Sequence, residues 1–113
     1  MVKKYIPDRG DIVKLSFDPQ LGREQAGYRP AFVVSPLAYN RVSHFMLACP
    51  ITNQIKGWRF EVILPSGMKT SGVVLTDRIR VLDWHIRSVK YVESATPELI
   101  EECLAKLATL IVP

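Results

Sequence analysis

The sequence predicts a mainly β fold, a small antiparallel barrel capped by one helix at the end of the chain, and three observations predict it. Short apolar runs recur from residue 12 to residue 92, broken by Gly, Pro, Asp or Ser, a spacing that suits many short strands packed as a sandwich or barrel. Only the stretch after Thr96 repeats its apolar residues at three- and four-residue intervals, as a helix face requires. At 113 residues and 48% hydrophobic, the chain can bury one core and has no room for a second. Residues 1–113 are therefore expected to form a single domain.

Taken in order, Tyr5 to Asp11 reads as a tail ending in a turn, and Val13, Leu15 and Phe17 then alternate with Lys14 and Ser16 as in a half-buried strand. Asp18-Pro19-Gln20-Leu21-Gly22 breaks that strand. The loop that follows, to Tyr28, is longer than a usual hairpin connection, and such length marks binding or gating loops; Leu21 is expected to pack down and anchor it. Arg29-Pro30 then leads into Ala31-Phe32-Val33-Val34. Pro30 fixes its own φ and biases Arg29 towards an extended backbone, so the guanidinium sits on a stiff support at the mouth of a buried strand. Ser35-Pro36 suggests one helical turn with serine as cap and proline in the first position.

His44 to Ile51 is a nearly continuous apolar run, the pattern of a central strand buried on both faces. It delivers Thr52-Asn53-Gln54 to its end, ahead of the basic and aromatic loop Ile55-Lys56-Gly57-Trp58-Arg59. Phe60 to Leu64 and Gly72 to Thr76 read as neighbouring strands. From Arg78 to Trp84 cations alternate with apolar residues, which fits a strand with one wet basic face. His85 to Val92 is expected to add a short strand with Ile86 and Val89 inward. Thr96-Pro97-Glu98 opens the helix, with threonine as N-cap and a carboxylate near the positive end of the dipole. Its apolar face is Leu99, Ile100, Cys103, Leu104, Leu107, Leu110 and Ile111.

Composition narrows the function classes. A net charge of +4 and a pI near 9.3 permit an anionic partner without demanding one. The cations populate the middle of the chain, whereas Glu93, Glu98, Glu101 and Glu102 cluster near its end. Cys49 and Cys103 fall in an apolar strand and a helix pattern, where buried reduced thiols are expected. With two cysteines and the isolated His44 and His85, the sequence offers no metal-ligand cluster, so neither a metal nor another cofactor is expected. No apolar run approaches a membrane span and no leader pattern opens the chain, so the expected location is the cytoplasm, without membrane contact.

Several short motifs, in register along almost the whole chain, resemble those of the MazF/PemK (Kid) family of toxin endoribonucleases. They are Asp8-x-Gly-Asp11, Phe17-Asp18-Pro19, Glu24-Gln25-x-Gly27-x-Arg29-Pro30, Val34-Ser35-Pro36 with Tyr39-Asn40, Pro50-Ile51-Thr52, Lys56-Gly57 with Phe60-Glu61-Val62, and Gly72 to Asp77. The resemblance implies an SH3-like antiparallel barrel (CcdB/PemK-like), usually a homodimer. It also implies a cognate antitoxin whose acidic, partly disordered tail covers the basic groove. The activity implied is sequence-specific, metal-independent cleavage of single-stranded mRNA.

Such cleavage uses the ribose 2′-hydroxyl as internal nucleophile and needs a proton acceptor, a proton donor and positive charge around the phosphorane. A guanidinium meets the last need with two parallel hydrogen bonds to non-bridging oxygens. The resemblance carries the catalytic role onto Arg29 and Thr52, with Glu24 as candidate proton acceptor or as the carboxylate that orients Arg29. Asp77 matches an acidic position used catalytically in the Kid branch, but Leu75 stands where that branch has an arginine, which favours the MazF-like arrangement. Gln25, Tyr28, Asn40, Lys56, Trp58, Arg59, Asp77 and Arg80 are the substrate-binding candidates. Trp58 is the best stacking platform, and Trp84 reads as core or dimer contact. Two other classes compete: a non-catalytic nucleic-acid or partner-binding barrel, and a CcdB-like gyrase poison. The second needs a C-terminal aromatic that Leu107 to Pro113 lacks.

Overall fold

The computed structural model describes residues 4–17 and 27–112. Glu24, Gln25 and Leu21 lie outside them. Among the described residues, seven antiparallel strands form the fold: β1 (Asp11–Ser16), β2 (Tyr28–Val33), β3 (Phe45–Thr52), β4 (Glu61–Ile63), β5 (Val73–Leu75), β6 (Arg80–Asp83) and β7 (Lys90–Ser94). Their order is β4-β5-β3-β2-β1-β7, with β6 also paired to β3. Helix α1 (Leu37–Ser43) lies between β2 and β3, and α2 (Pro97–Ile111) ends the chain. The expected mainly β architecture with a terminal helix is what the chain adopts.

Strand β3 pairs with β2, β5 and β6. Successive side chains of a strand face opposite ways, and here both faces are covered. Ile12, Phe32, Cys49 and Ile51 enter one cluster with Leu99, Cys103 and Leu107 of α2. Val13, Leu15, Ala31, Val33, Met46 and Ala48 enter a second with Leu82 and Trp84. That double burial is the reason for the continuous apolar run. Both cysteines are free and buried, as expected. Burial pushes the Cys49 thiol far up, and with help from Glu102 pushes Cys103 up to about 12, so both stay protonated and inert.

Helix α2 begins as its sequence suggests, with the Thr96 hydroxyl accepting from the Leu99 N–H. Its last turn departs from the expected face, because Leu110 and Ile111 run past the sheet and stand exposed. Among the described residues no helix is long and apolar enough to cross a membrane.

Four further expectations are corrected. Helix α1 is two turns long and starts at Leu37 behind Pro36. Ser35 does not cap it: its hydroxyl donates to Asn40 Oδ1 and accepts from the Leu47 N–H, while Asp8 takes the Leu37 N–H. Asn40, expected at the substrate, is wholly buried. Its amide donates to the carbonyls of Pro7 and Ser35, and its own carbonyl accepts from the Trp84 indole, so it joins tail, helix and core. In β6 the wet and buried faces are exchanged: Val81 is exposed opposite Leu47, while Leu82 is buried and Arg80 half-buried. Residues 84–88 are turns and the strand begins only at Lys90, with Ile86 exposed and Val89 packed on the core.

Candidate active site

Arg29 lies in β2 opposite Leu15 of β1. The β2–β3 ladder pairs Ala31 with Pro50 and Val33 with Ala48. The ladder ends there, and Arg29 and Thr52 lie two residues beyond its last pair, both still inside their strands. Paired residues share a sheet face, so Arg29 and Thr52 fall on the face of Ala31, Pro50 and Ala48. Arg80, paired with Ala48, falls there too. Strand alternation thus puts three residues widely separated in sequence on one sheet face.

Thr52 is nearly buried, and its Oγ1 accepts the Gln54 N–H at 3.1 Å, which leaves the hydroxyl proton to be donated. The other flank of Thr52 is closed by β5, whose Val73 pairs with it. Gly72 presses close behind. Its φ of +111° lies in the region that favours glycine, and an added Cβ would stand 2.2 Å from the Thr52 carbonyl oxygen.

Beside Thr52, on the β5 side, opens a cleft of about 530 Å³ lined by Gln54, Lys56, Trp58, Glu61, Asp77 and Arg78, with Leu75 at its floor. Residues 53–59, which form much of its rim, are exposed and lack regular structure, yet they are held at four points. Glu61 accepts the N–H groups of Lys56 and Gly57 at 3.2 and 3.0 Å, one on each oxygen. Asp77, in a single 3-10 turn (Thr76–Arg78), accepts the Trp58 indole N–H at 3.0 Å. Phe60 lies against the Trp58 ring with centroids 5.7 Å apart. Lys106 of α2 donates to the Arg59 carbonyl.

The predicted residues therefore divide. Thr52, Lys56, Trp58 and Asp77 line the cleft. Arg29 and Arg80 belong to the adjoining side of Thr52, where Arg80 donates to the Phe17 carbonyl and lies over its ring. Tyr28 is exposed at the start of β2, and Arg59 is exposed beyond the cleft lining. Glu24 and Gln25 lie outside the described residues. Sequence reasoning missed the roles of Gln54, Glu61 and Gly72. A carboxylate four residues after Gly57 was a legible sign of a clamped loop; the packing of Gly72 on Thr52 left none.

Residues 8–111 match the family described as PemK-like, MazF-like toxin of type II toxin-antitoxin system. The chain belongs to this family. It is 42% identical to the endoribonuclease toxin MazF of Escherichia coli strain K12, over 98% of this chain and 99% of that protein. It is 36% identical to the endoribonuclease PemK of E. coli over 96% and 85%. The crystal structure of MazF from Deinococcus radiodurans superposes with a TM-score of 0.92 at 47% identity, covering 96% and 98% of the two chains. A MazE-MazF structure from the same organism matches at 0.85 and 42%, with the same coverage. The two solved structures thus share this fold over nearly the whole chain.

Proposed function

We propose that this chain is the toxin of a type II toxin-antitoxin system and cuts single-stranded mRNA through the RNA's own 2′-hydroxyl. The position of Arg29 and Thr52 on one sheet face just past the β2–β3 ladder, with Thr52 at a cleft carrying Lys56, Arg78 and Trp58, is the observation that supports it most. The 2′-oxygen bonds to phosphorus as its proton leaves to a general base, for which Glu24 is the candidate. The bond to the 5′-oxygen then breaks and that oxygen takes up a proton. The products are a 2′,3′-cyclic phosphate and a 5′-hydroxyl. Arg29 stabilises the phosphorane charge rather than moving protons, because a guanidinium does not deprotonate in proteins. Thr52 adds a neutral donor. No step in this scheme calls on a metal.

Lys56 and Arg80 attract phosphate, and Gln25, Tyr28 and Arg59 contact nearby nucleotides. Trp58 stacks an unpaired base. Its mRNA substrate places the protein's action in the cytoplasm. An antitoxin with an acidic disordered tail would cover this groove, in keeping with the MazE-MazF complexes of D. radiodurans. The working form is a homodimer, supported by exposed Phe45, Val81 and Ile86 around β6, which among the described residues pairs with β3 alone. The test incubates the protein in EDTA with a long single-stranded RNA and the matching DNA and maps the fragment ends. Cuts in RNA alone, with cyclic phosphate and 5′-hydroxyl ends, are expected. Binding without cuts overturns the enzymatic reading in favour of a nucleic-acid-binding barrel.

A further inference from the structure

Asp77, which matches an acidic position used catalytically in the Kid branch, invites a role in proton transfer, but its geometry gives it another task. Asp77 Oδ2 accepts the Trp58 indole N–H at 3.0 Å across nineteen residues of sequence. Trp58 needs such a restraint. It sits in an exposed loop directly after Gly57, whose φ is +75°, and the residue is 53% exposed. The neighbouring amides of Lys56 and Gly57 are already taken by Glu61, so the backbone is fixed just before Trp58, and Phe60 leans on the ring. The hydrogen bond to Asp77 then holds the edge of the indole.

Resting on the RNA reading above, we propose that Asp77 is a positioning residue that fixes Trp58 so that its ring meets an unpaired RNA base, and that Asp77 carries no proton in the reaction. Stacking is sequence-tolerant and contributes to binding in ground and transition states alike, so its loss raises KM and leaves kcat in place. A proton carrier would behave in the opposite way. The two roles also differ in what asparagine does. Asn keeps a carbonyl oxygen that can accept from the indole, but it cannot act as a base at neutral pH.

The test measures kcat and KM for RNA cleavage, with polarisation of a fluorescent single-stranded RNA as a separate binding readout. It uses Asp77→Leu, Asp77→Asn, Trp58→Phe and the Leu/Phe double variant. Asp77→Leu and Trp58→Phe are each expected to weaken binding by about tenfold with kcat kept within about twofold. The double variant is expected to be no worse than the more damaged single, because both remove one interaction. Asp77→Asn is expected to restore most of the binding lost in Asp77→Leu. If Asp77→Leu does not fold, Trp58→Phe and Asp77→Asn carry the same test. A collapse of kcat in Asp77→Asn with KM unchanged would overturn the proposal, as would additive losses in the double variant. A parent protein that binds and cuts RNA while all variants match it sinks this inference alone. A parent that neither binds nor cuts RNA sinks the ribonuclease reading, and this inference with it.

Discussion

Two loops flank Thr52, and they are fastened by the same device to different ends. In the front loop, residues 53–59, one carboxylate takes two consecutive amides: Glu61 holds those of Lys56 and Gly57. In the back loop, residues 65–72, Glu93 of β7 holds those of Lys69 and Thr70 at 3.0 and 2.8 Å. The front clamp leaves Lys56 and Trp58 facing an open cleft, whereas the back loop ends in Gly72, packed against the Thr52 carbonyl. A carboxylate clamp is therefore a way of stiffening a loop and says nothing by itself about ligands. What separates the loops is the space beside them, and under the proposed function that space would give the front loop to RNA binding and the back loop to the placement of the Thr52 hydroxyl.

That division stands only if the chemistry resides on the strand ends between the loops. Arg29→Ala is accordingly the largest expected effect: cleavage slower by about a hundredfold or more, with the thermal midpoint close to the parent's. Parental cleavage in this variant would remove Arg29 from the mechanism. The pair Gly72→Ala and Gly57→Ala breaks the comparison more directly. Both glycines have positive φ, but a Cβ at Gly72 meets backbone and a Cβ at Gly57 meets nothing within 4 Å. Gly72→Ala is expected to destabilise by about 2 kcal/mol or more and to lower kcat by displacing Thr52. Gly57→Ala is expected to cost about 1 kcal/mol and to raise KM alone. Equal kcat in the two variants would erase the distinction between the loops.

The same contrast shows how far the sequence could be read. Arg29 and Thr52 were legible because each lies in a short motif, and the strand between Phe45 and Thr52 announced itself as an apolar run. The front clamp is local, four and five residues long, and so within reach of sequence. The Glu93 clamp spans 23 and 24 residues and depends on β1–β7 pairing, which no local pattern encodes. Asn40 was misplaced for a related reason. An amide beside a predicted turn looks exposed, and only the packing of the N-terminal tail and Trp84 over α1 buries it. The exchanged faces of β6 follow from its register against β3, again a tertiary choice.

A smaller effect sharpens the front-loop role. Lys56 lies on the cleft rim with its backbone held and its ammonium exposed. Lys56→Ala is expected to weaken RNA binding several-fold and to reduce the slope of log affinity against log salt by about 0.7, the value for one phosphate contact on a single strand. Lys69→Ala, in the back loop, serves as the control and is expected to leave that slope unchanged. Matching slopes in both variants would mean that RNA does not distinguish the loops.

The smallest expected effect separates the back clamp from the reaction. Burial raises the Glu93 carboxyl, but the Thr70 hydroxyl and the amides of Lys69 and Thr70 outweigh it, so the group lies below its ordinary value of 4.5. A depressed folded value means that the charged clamp stabilises the protein above the unfolded value and that this contribution disappears as pH falls through the folded one. The window is therefore acidic, beneath 4.5. Glu93→Gln removes this titration, and its thermal midpoint is expected to fall less steeply than the parent's between neutral pH and about pH 3. Glu93 is half-buried, and solvent still screens the clamp, so the difference is small. Parallel pH curves would show that the clamp does not discriminate charge. At neutral pH the variant tests the link to Thr52: a slight drop in kcat with KM unchanged is the result expected if the back loop supports the hydroxyl from behind, and a rise in KM alone would assign both loops to RNA binding.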